Sequence, residues 1–292
     1  MRKKIFLPVF IIALFLSNAC VNNNQKNSNK PTVTVSIIPQ KFFVNKIAGD
    51  FLNVNVMVPP GQSPATYEPT PLQMRQLSKS KIYFRIGYIA FENAWIDKLA
   101  SINSQMKIIN TAEGTELLSD ENHHNSDNKN QGYNPHIWLL PSSVKKQATI
   151  IFNTLAKEYP EHKSEMQQNL QVFLQQCDSV QTELDKKFKP LSGTSFIVYH
   201  PVWSYLAKEY NLHQVAIEQH GKEAAADKLK KIIDFAKQNN IKTVFVQKEF
   251  NGTQAETIAK EIGGKVTVLN PLNYNWFNTM AQFAEAFDNV TN

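Results

Sequence analysis

Short alternating runs of apolar and polar residues open the pattern. Val33-Thr34-Val35-Ser36-Ile37 is β-branched and alternating, which predicts a strand, and a helical stretch follows over residues 40–47. Further strands are predicted over 52–58, 82–86 and 106–109, with helices between them at 71–79 and 91–99. The alternation stops in a polar segment, 119–132, and resumes with a helix over 141–159. A long helix is then predicted over 161–188, because Met166, Leu170, Phe173, Leu174, Cys177, Val180, Leu184 and Phe188 recur at helical spacing. At 1.5 Å per residue it would run about 40 Å, enough to reach across a domain. Strands restart at 195–199, 214–217, 242–246 and 265–269.

Strands alternating with helices predict an α/β fold of parallel βα units. The long helix divides them, so the expectation is two lobes with a ligand cleft between. The N-terminal lobe is assigned to 31–160, the connecting helix to 161–189 and the C-terminal lobe to 190–292. Ligands in such sheets gather at the carboxyl ends of the strands.

The first thirty residues need a separate account. Arg2, Lys3 and Lys4 precede an almost wholly apolar run, and small residues lead into Cys20. A charged start, a short apolar core and a small-residue cut describe a secretory signal over 1–19. The run falls short of the ~20 residues that span a bilayer. A cysteine at the cut fits the bacterial lipobox, in which Cys20 is lipidated and becomes the new N-terminus. Residues 20–30, rich in Asn, Ser and Lys, are then a flexible tether. The expected location is outside the cytoplasm, lipid-anchored and facing the periplasm or cell exterior. Val21 is not an aspartate, so no signal for retention at the inner membrane is present.

Charge narrows the partners. The formal net charge is +6, and removing the three leader cations halves it. With no Lys/Arg stripe interleaved with aromatics, nucleic acid is excluded as a partner. The chain has 2 cysteines, and once Cys20 is lipidated Cys177 has no disulfide partner within the chain. A lone thiol of this kind is expected in the core.

Candidate chemistry rests on 7 histidines. His136 lies in Asn134-Pro135-His136-Ile137-Trp138, just after the polar segment, and His200 directly follows the strand over 195–199. Imidazole is the commonest metal-binding side chain at neutral pH. Spacing alone favours packing over ligation for each histidine, because neither HxxxH nor HExxH occurs. His123 and His124 stand in a tract with Asp120, Glu121 and Asp127. Such a tract can collect divalent cations loosely or simply be solvated. No GxSxG elbow is present, and Gly264-Lys265-Val266 lacks the phosphate-loop pattern. No enzymatic arrangement is legible in these residues, which leaves a hydrolase unsupported rather than excluded.

Several stretches together carry a resemblance. They are Ser36-Ile37-Ile38-Pro39, Ile47-Ala48-Gly49-Asp50 and the run from Val58-Pro59-Pro60-Gly61 through Glu68-Pro69-Thr70-Pro71. Phe91-Glu92-Asn93-Ala94-Trp95, Asn134-Pro135-His136-Ile137-Trp138 and Tyr199-His200-Pro201-Val202-Trp203 follow, then Gly221-Lys222-Glu223 and Val244-Phe245-Val246-Gln247. On these the chain resembles the zinc and manganese binding lipoproteins of ABC importers, the TroA-like or ZnuA-like cluster A-I. The resemblance covers nearly the whole mature chain. It implies two α/β lobes on a rigid helix, small lobe motion, and a metal held between the lobes for an ABC permease and its ATPase. It also implies four ligands, of which this chain keeps His136 and His200. Ala65 stands where relatives carry a histidine after the Pro-Gly-x-x-Pro stretch, and Asn270 where an aspartate follows the last strand.

Two imidazoles make a weak zinc site, since lasting sites use at least three side chains. Three readings stay open. Glu68, Glu249, Asn270, or His123 and His124, could supply replacement donors. The chain could be a degenerate paralogue binding a metal chelate or another small solute. Or it could be an accessory or adhesive surface lipoprotein without tight metal binding. The expectation is a monomeric solute-binding lipoprotein for zinc, manganese being disfavoured because it prefers oxygen-rich sites.

Overall fold

A computed structural model of the chain describes residues 30–119, 132–218 and 222–289. Residues 1–19, Cys20, His123, His124 and His220 lie outside them. Two four-stranded parallel sheets organise the body, and their strand orders are the same. The first runs β2-β1-β3-β4, from β1 (Thr32–Val35), β2 (Asn53–Val56), β3 (Ile82–Arg85) and β4 (Lys107–Asn110). The second runs β6-β5-β7-β8, from β5 (Ser195–Val198), β6 (His213–Ala216), β7 (Thr243–Gln247) and β8 (Lys265–Leu269). All the pairings are parallel. In each sheet the chain turns back beside its first strand, so a topological switch point falls between β1 and β3 and again between β5 and β7.

The helices α1 (Ile38–Ala48), α2 (Pro71–Leu77), α3 (Ala90–Ile102) and α4 (Pro141–Glu158) belong to the first half. The second half holds α6 (Ser204–Glu209), α7 (Ala226–Gln238), α8 (Thr253–Glu261) and α9 (Trp276–Ala286). Between them runs α5 (Lys163–Phe188), 26 residues long and flanked by 3₁₀ turns. Met166, Leu170, Phe173, Cys177, Leu184 and Phe188 form its buried stripe. Burial pushes the Cys177 thiol up to about 12, which keeps it protonated and inert. No described helix is long and apolar enough to cross a membrane.

Helix α5 docks on helices of both halves. Near its middle, Phe173 packs on Phe42 and Phe43 of α1, at ring distances of 6.1 and 5.8 Å. At its C-terminal end, Phe188 packs on Tyr210, Phe283 and Phe287. One apolar core, running from Val33 and Phe84 through Phe173 to Phe196 and Phe245, crosses from the first sheet to the second. A smaller cluster around Ile197, Val244 and Ile258 covers the outer side of the second sheet. Helix α9 adds a direct tie, because Trp276 meets Phe43 and Tyr274 accepts a hydrogen bond from Asn45. The two halves are packed into one body, residues 31–292 forming a single compact unit.

Polar contacts shape the end of the first sheet. Buried Glu92 accepts from Ser36 and from the backbone N–H groups of Ile86 and Gly87. Burial raises its carboxyl above the usual range, against the pull of those donors. Gly87 has φ +113, and a Cβ there would meet the Asn110 side chain at 2.3 Å, so only glycine fits.

Candidate metal centre

His136 belongs to the first half. Leu118 and Asn134 share a backbone hydrogen bond, and Ser119 bridges Tyr133, so the two sides of the polar segment meet just ahead of it. The Asn134 amide oxygen accepts the backbone N–H of His136 at 3.0 Å, which identifies it as oxygen, since an N–H can only donate. The same atom lies 2.7 Å from His136 Nδ1, so Nδ1 carries the proton and donates to it. Nε2 is left with its lone pair. A 3₁₀ turn over Ile137–Leu139 follows at once.

Contacts from the second half hold that turn in place. Trp138 Nε1 donates to the Pro271 carbonyl at 3.0 Å, and Trp276 Nε1 donates to the Trp138 carbonyl at 2.6 Å. The Tyr205 hydroxyl donates to the Asn134 carbonyl and accepts from Leu118 N–H. His136 is thus positioned largely by residues more than sixty positions away.

His200 sits at the switch point of the second sheet, just beyond β5. Gln247, the last residue of β7, closes on its peptide group. The Gln247 amide oxygen accepts from His200 N–H at 3.2 Å and its amide nitrogen donates to the His200 carbonyl at 2.7 Å. Glu218, one residue past Ile217 and aligned across the sheet by Glu218 N–H bonding to the Tyr199 carbonyl, reaches His200 Nδ1 at 2.5 Å. A carboxylate only accepts, so this nitrogen also donates, which leaves Nε2 as the ring nitrogen for coordination. Phe250 stacks against the ring at 5.1 Å.

The two imidazoles meet edge to face, with ring centroids 5.2 Å apart and planes at 72°. Their Nδ1 atoms are committed to Asn134 and Glu218, so Nε2 is the nitrogen each ring has left to offer a metal. Orienting a metal-binding histidine through its second nitrogen is a usual feature of metal sites. His136 is 9% exposed, and burial holds its pKa well below the usual histidine range, with the nearby His200 adding to the effect. It is therefore neutral at pH 7.

The other sequence candidates fall elsewhere or stand back. Glu68 and Ala65 are exposed on the loop ahead of α2. Glu249 is half-buried between Gln247 and Phe250, and burial raises its carboxyl. The Asn270 amide oxygen accepts from Leu272 N–H at 3.1 Å, capping a turn. His123 and His124 lie outside the described residues. Sequence reasoning missed Glu218, which follows its strand as His200 follows β5; that shared strand-end position was the available signal. It also assigned no role to Asn134, Tyr205 or Gln247.

Two parallel α/β halves spanned by one helix, with convergent imidazoles between them, define the class of two-lobed binding proteins. Among these the chain belongs to the ZnuA family: residues 33–290 match the profile described as zinc-uptake complex component A, periplasmic. It is 27% identical over 286 residues to the zinc-binding lipoprotein AdcA of Streptococcus pneumoniae strain R6, covering 93% of this chain but 56% of that protein. The chain thus spans little more than half the length of that relative. It is 27% identical over 281 residues to the high-affinity zinc uptake system protein ZnuA of Bacillus subtilis strain 168, covering 90% of this chain and 88% of that one. Among solved structures, a crystal structure of ZnuA superposes with a TM-score of 0.84 at 39% identity, covering 90% of this chain and all of that one.

Proposed function

We propose that this chain is the solute-binding lipoprotein of a metal-type ABC importer. It captures zinc outside the cytoplasm and hands it to a membrane permease driven by its ATPase. The observation that carries the reading is the facing pair of imidazoles, 5.2 Å apart by centroid, each with Nδ1 engaged and Nε2 available. In this reading His136 and His200 bind the metal through Nε2. Neutral His136 has no proton to lose before coordination, which favours binding at neutral pH. Two nitrogens suit zinc better than manganese, which favours oxygen. The family description and the names of the two relatives support the same cargo.

The remaining assignments belong to the same proposal. Residues 1–19 direct export, Cys20 carries the lipid, and 20–30 tether a monomeric body to the membrane. The lobes are 31–160 and 190–292, with 161–189 between them. The lipoprotein name of the pneumococcal relative supports the anchor. The role is binding and delivery, without catalysis.

The test is zinc retention by the mature protein after dialysis against zinc, supplied both bare and with a small carrier. Wild type is expected to retain about one equivalent, and His136→Ala and His200→Ala less than about a tenth of that. No retention by wild type, or undiminished retention by both variants, overturns the reading.

A further inference from the structure

A protein-bound zinc ion usually takes about four donors, three or more of them side chains where binding lasts. Among the described residues no group of three or more His, Cys, Asp or Glu side chains is placed to hold one ion. The polar atoms around the two imidazoles have other work. The Glu218 oxygen is spent on His200 Nδ1, a ring atom not adjacent to Nε2. The Asn134 oxygen takes two donors from His136. Both amide atoms of Gln247 close on the His200 peptide. The Asn270 oxygen caps Leu272 N–H.

Charge points the same way. Among the described residues the carboxylate held against the pair, Glu218, turns an oxygen to His200 Nδ1, so two imidazole nitrogens bring a dication no charge of their own. His136 is buried, so the uncompensated charge would sit where desolvation is expensive. The walls are apolar on both sides, with Trp138 5.2 Å from the His136 ring and Phe250 stacked on His200. A ligand that brings two donors and negative charge would complete both the coordination number and the charge balance.

We infer that the cargo reaches this pair of imidazoles as a complex of the divalent cation with a small bidentate carboxylate chelator, of amino-acid or hydroxy-acid type. The inference rests on the importer reading above and gives that reading its substrate class. Two imidazole nitrogens and two chelator donors then make up the set of four. The chelator's carboxylate supplies the charge that the described residues do not bring to the pair.

Isothermal titration of the mature protein compares zinc alone with zinc buffered to the same free concentration by histidine or by citrate. Dialysis with radiolabelled histidine or citrate asks whether the chelator is retained. The expected result is an apparent zinc affinity raised at least about 10-fold by one of the two, with label retained in proportion to zinc and none without it. Which of the two does so separates an amino-acid from a hydroxy-acid source. If both chelators only compete with the protein for zinc, the inference is overturned. It is equally overturned if bare zinc binds at submicromolar Kd and Glu249→Gln, or alanine at His123, His124 and His220, abolishes that binding, because the chain would then supply its own donors. Failure of the importer reading looks different: no form of zinc is retained, or retention survives both His136→Ala and His200→Ala.

Discussion

His136 and His200 are alike in what they offer and different in how they are held. Each gives its Nδ1 proton away, one to a neutral amide oxygen and the other to a carboxylate. The carboxylate locks the orientation of the His200 ring, so Glu218 acts as a positioning residue. Glu218→Gln leaves an acceptor in place while removing the charge. It is expected to weaken zinc binding about 10-fold, in bare or chelated form, with an unchanged far-UV circular dichroism spectrum. Equal affinity in the two proteins would mean that the hydrogen bond alone suffices. The histidines themselves could be singled out in the sequence, one by its strand-end position and both by family resemblance. The pairing of His200 with Glu218 could not, although both stand at strand ends, because which strand ends meet across 18 positions is decided by sheet pairing and leaves no local pattern.

Among the elements, α5 was the most legible. Its stripe of apolar residues at three- and four-residue steps is long, and periodicity averages out local noise. The structure begins it at Lys163, two residues later than its period suggests, because Pro160 opens a 3₁₀ turn first. Strand positions were legible to within a residue or two for the same reason, since β-branched runs bounded by turns are distinctive. Helix α9 was not placed. Its role depends on Trp276 and Phe277 meeting α1, a contact across more than two hundred residues. The load on α5 can be measured. Phe173 is buried against Phe42 and Phe43, and Phe173→Ala should cost about 3–5 kcal/mol in urea unfolding. A loss below about 1 kcal/mol would deny α5 its bracing role.

Taken whole, the molecule is stitched across its middle. The core crosses from sheet to sheet, two tryptophan N–H groups link the His136 turn to the second half, and Tyr205 bridges back to Asn134. Wide opening would have to break all of these together, so hinge closure of large amplitude is disfavoured. Small-angle X-ray scattering with and without bound zinc should therefore give radii of gyration within about 1 Å of each other. A larger contraction would show that the stitched side yields.

The amino-acid sequence by itself determined the βα alternation, the long helix, the charged-then-apolar order of the first residues and the two histidines worth watching. Those features are local, written in periodicity, charge order and strand ends. Only the tertiary structure decided that the two rings face each other, which nitrogen of each is free, and that Glu218 stands behind His200. Such facts depend on how distant segments pack, and packing is set by the summed contacts of the whole core rather than by any stretch of chain.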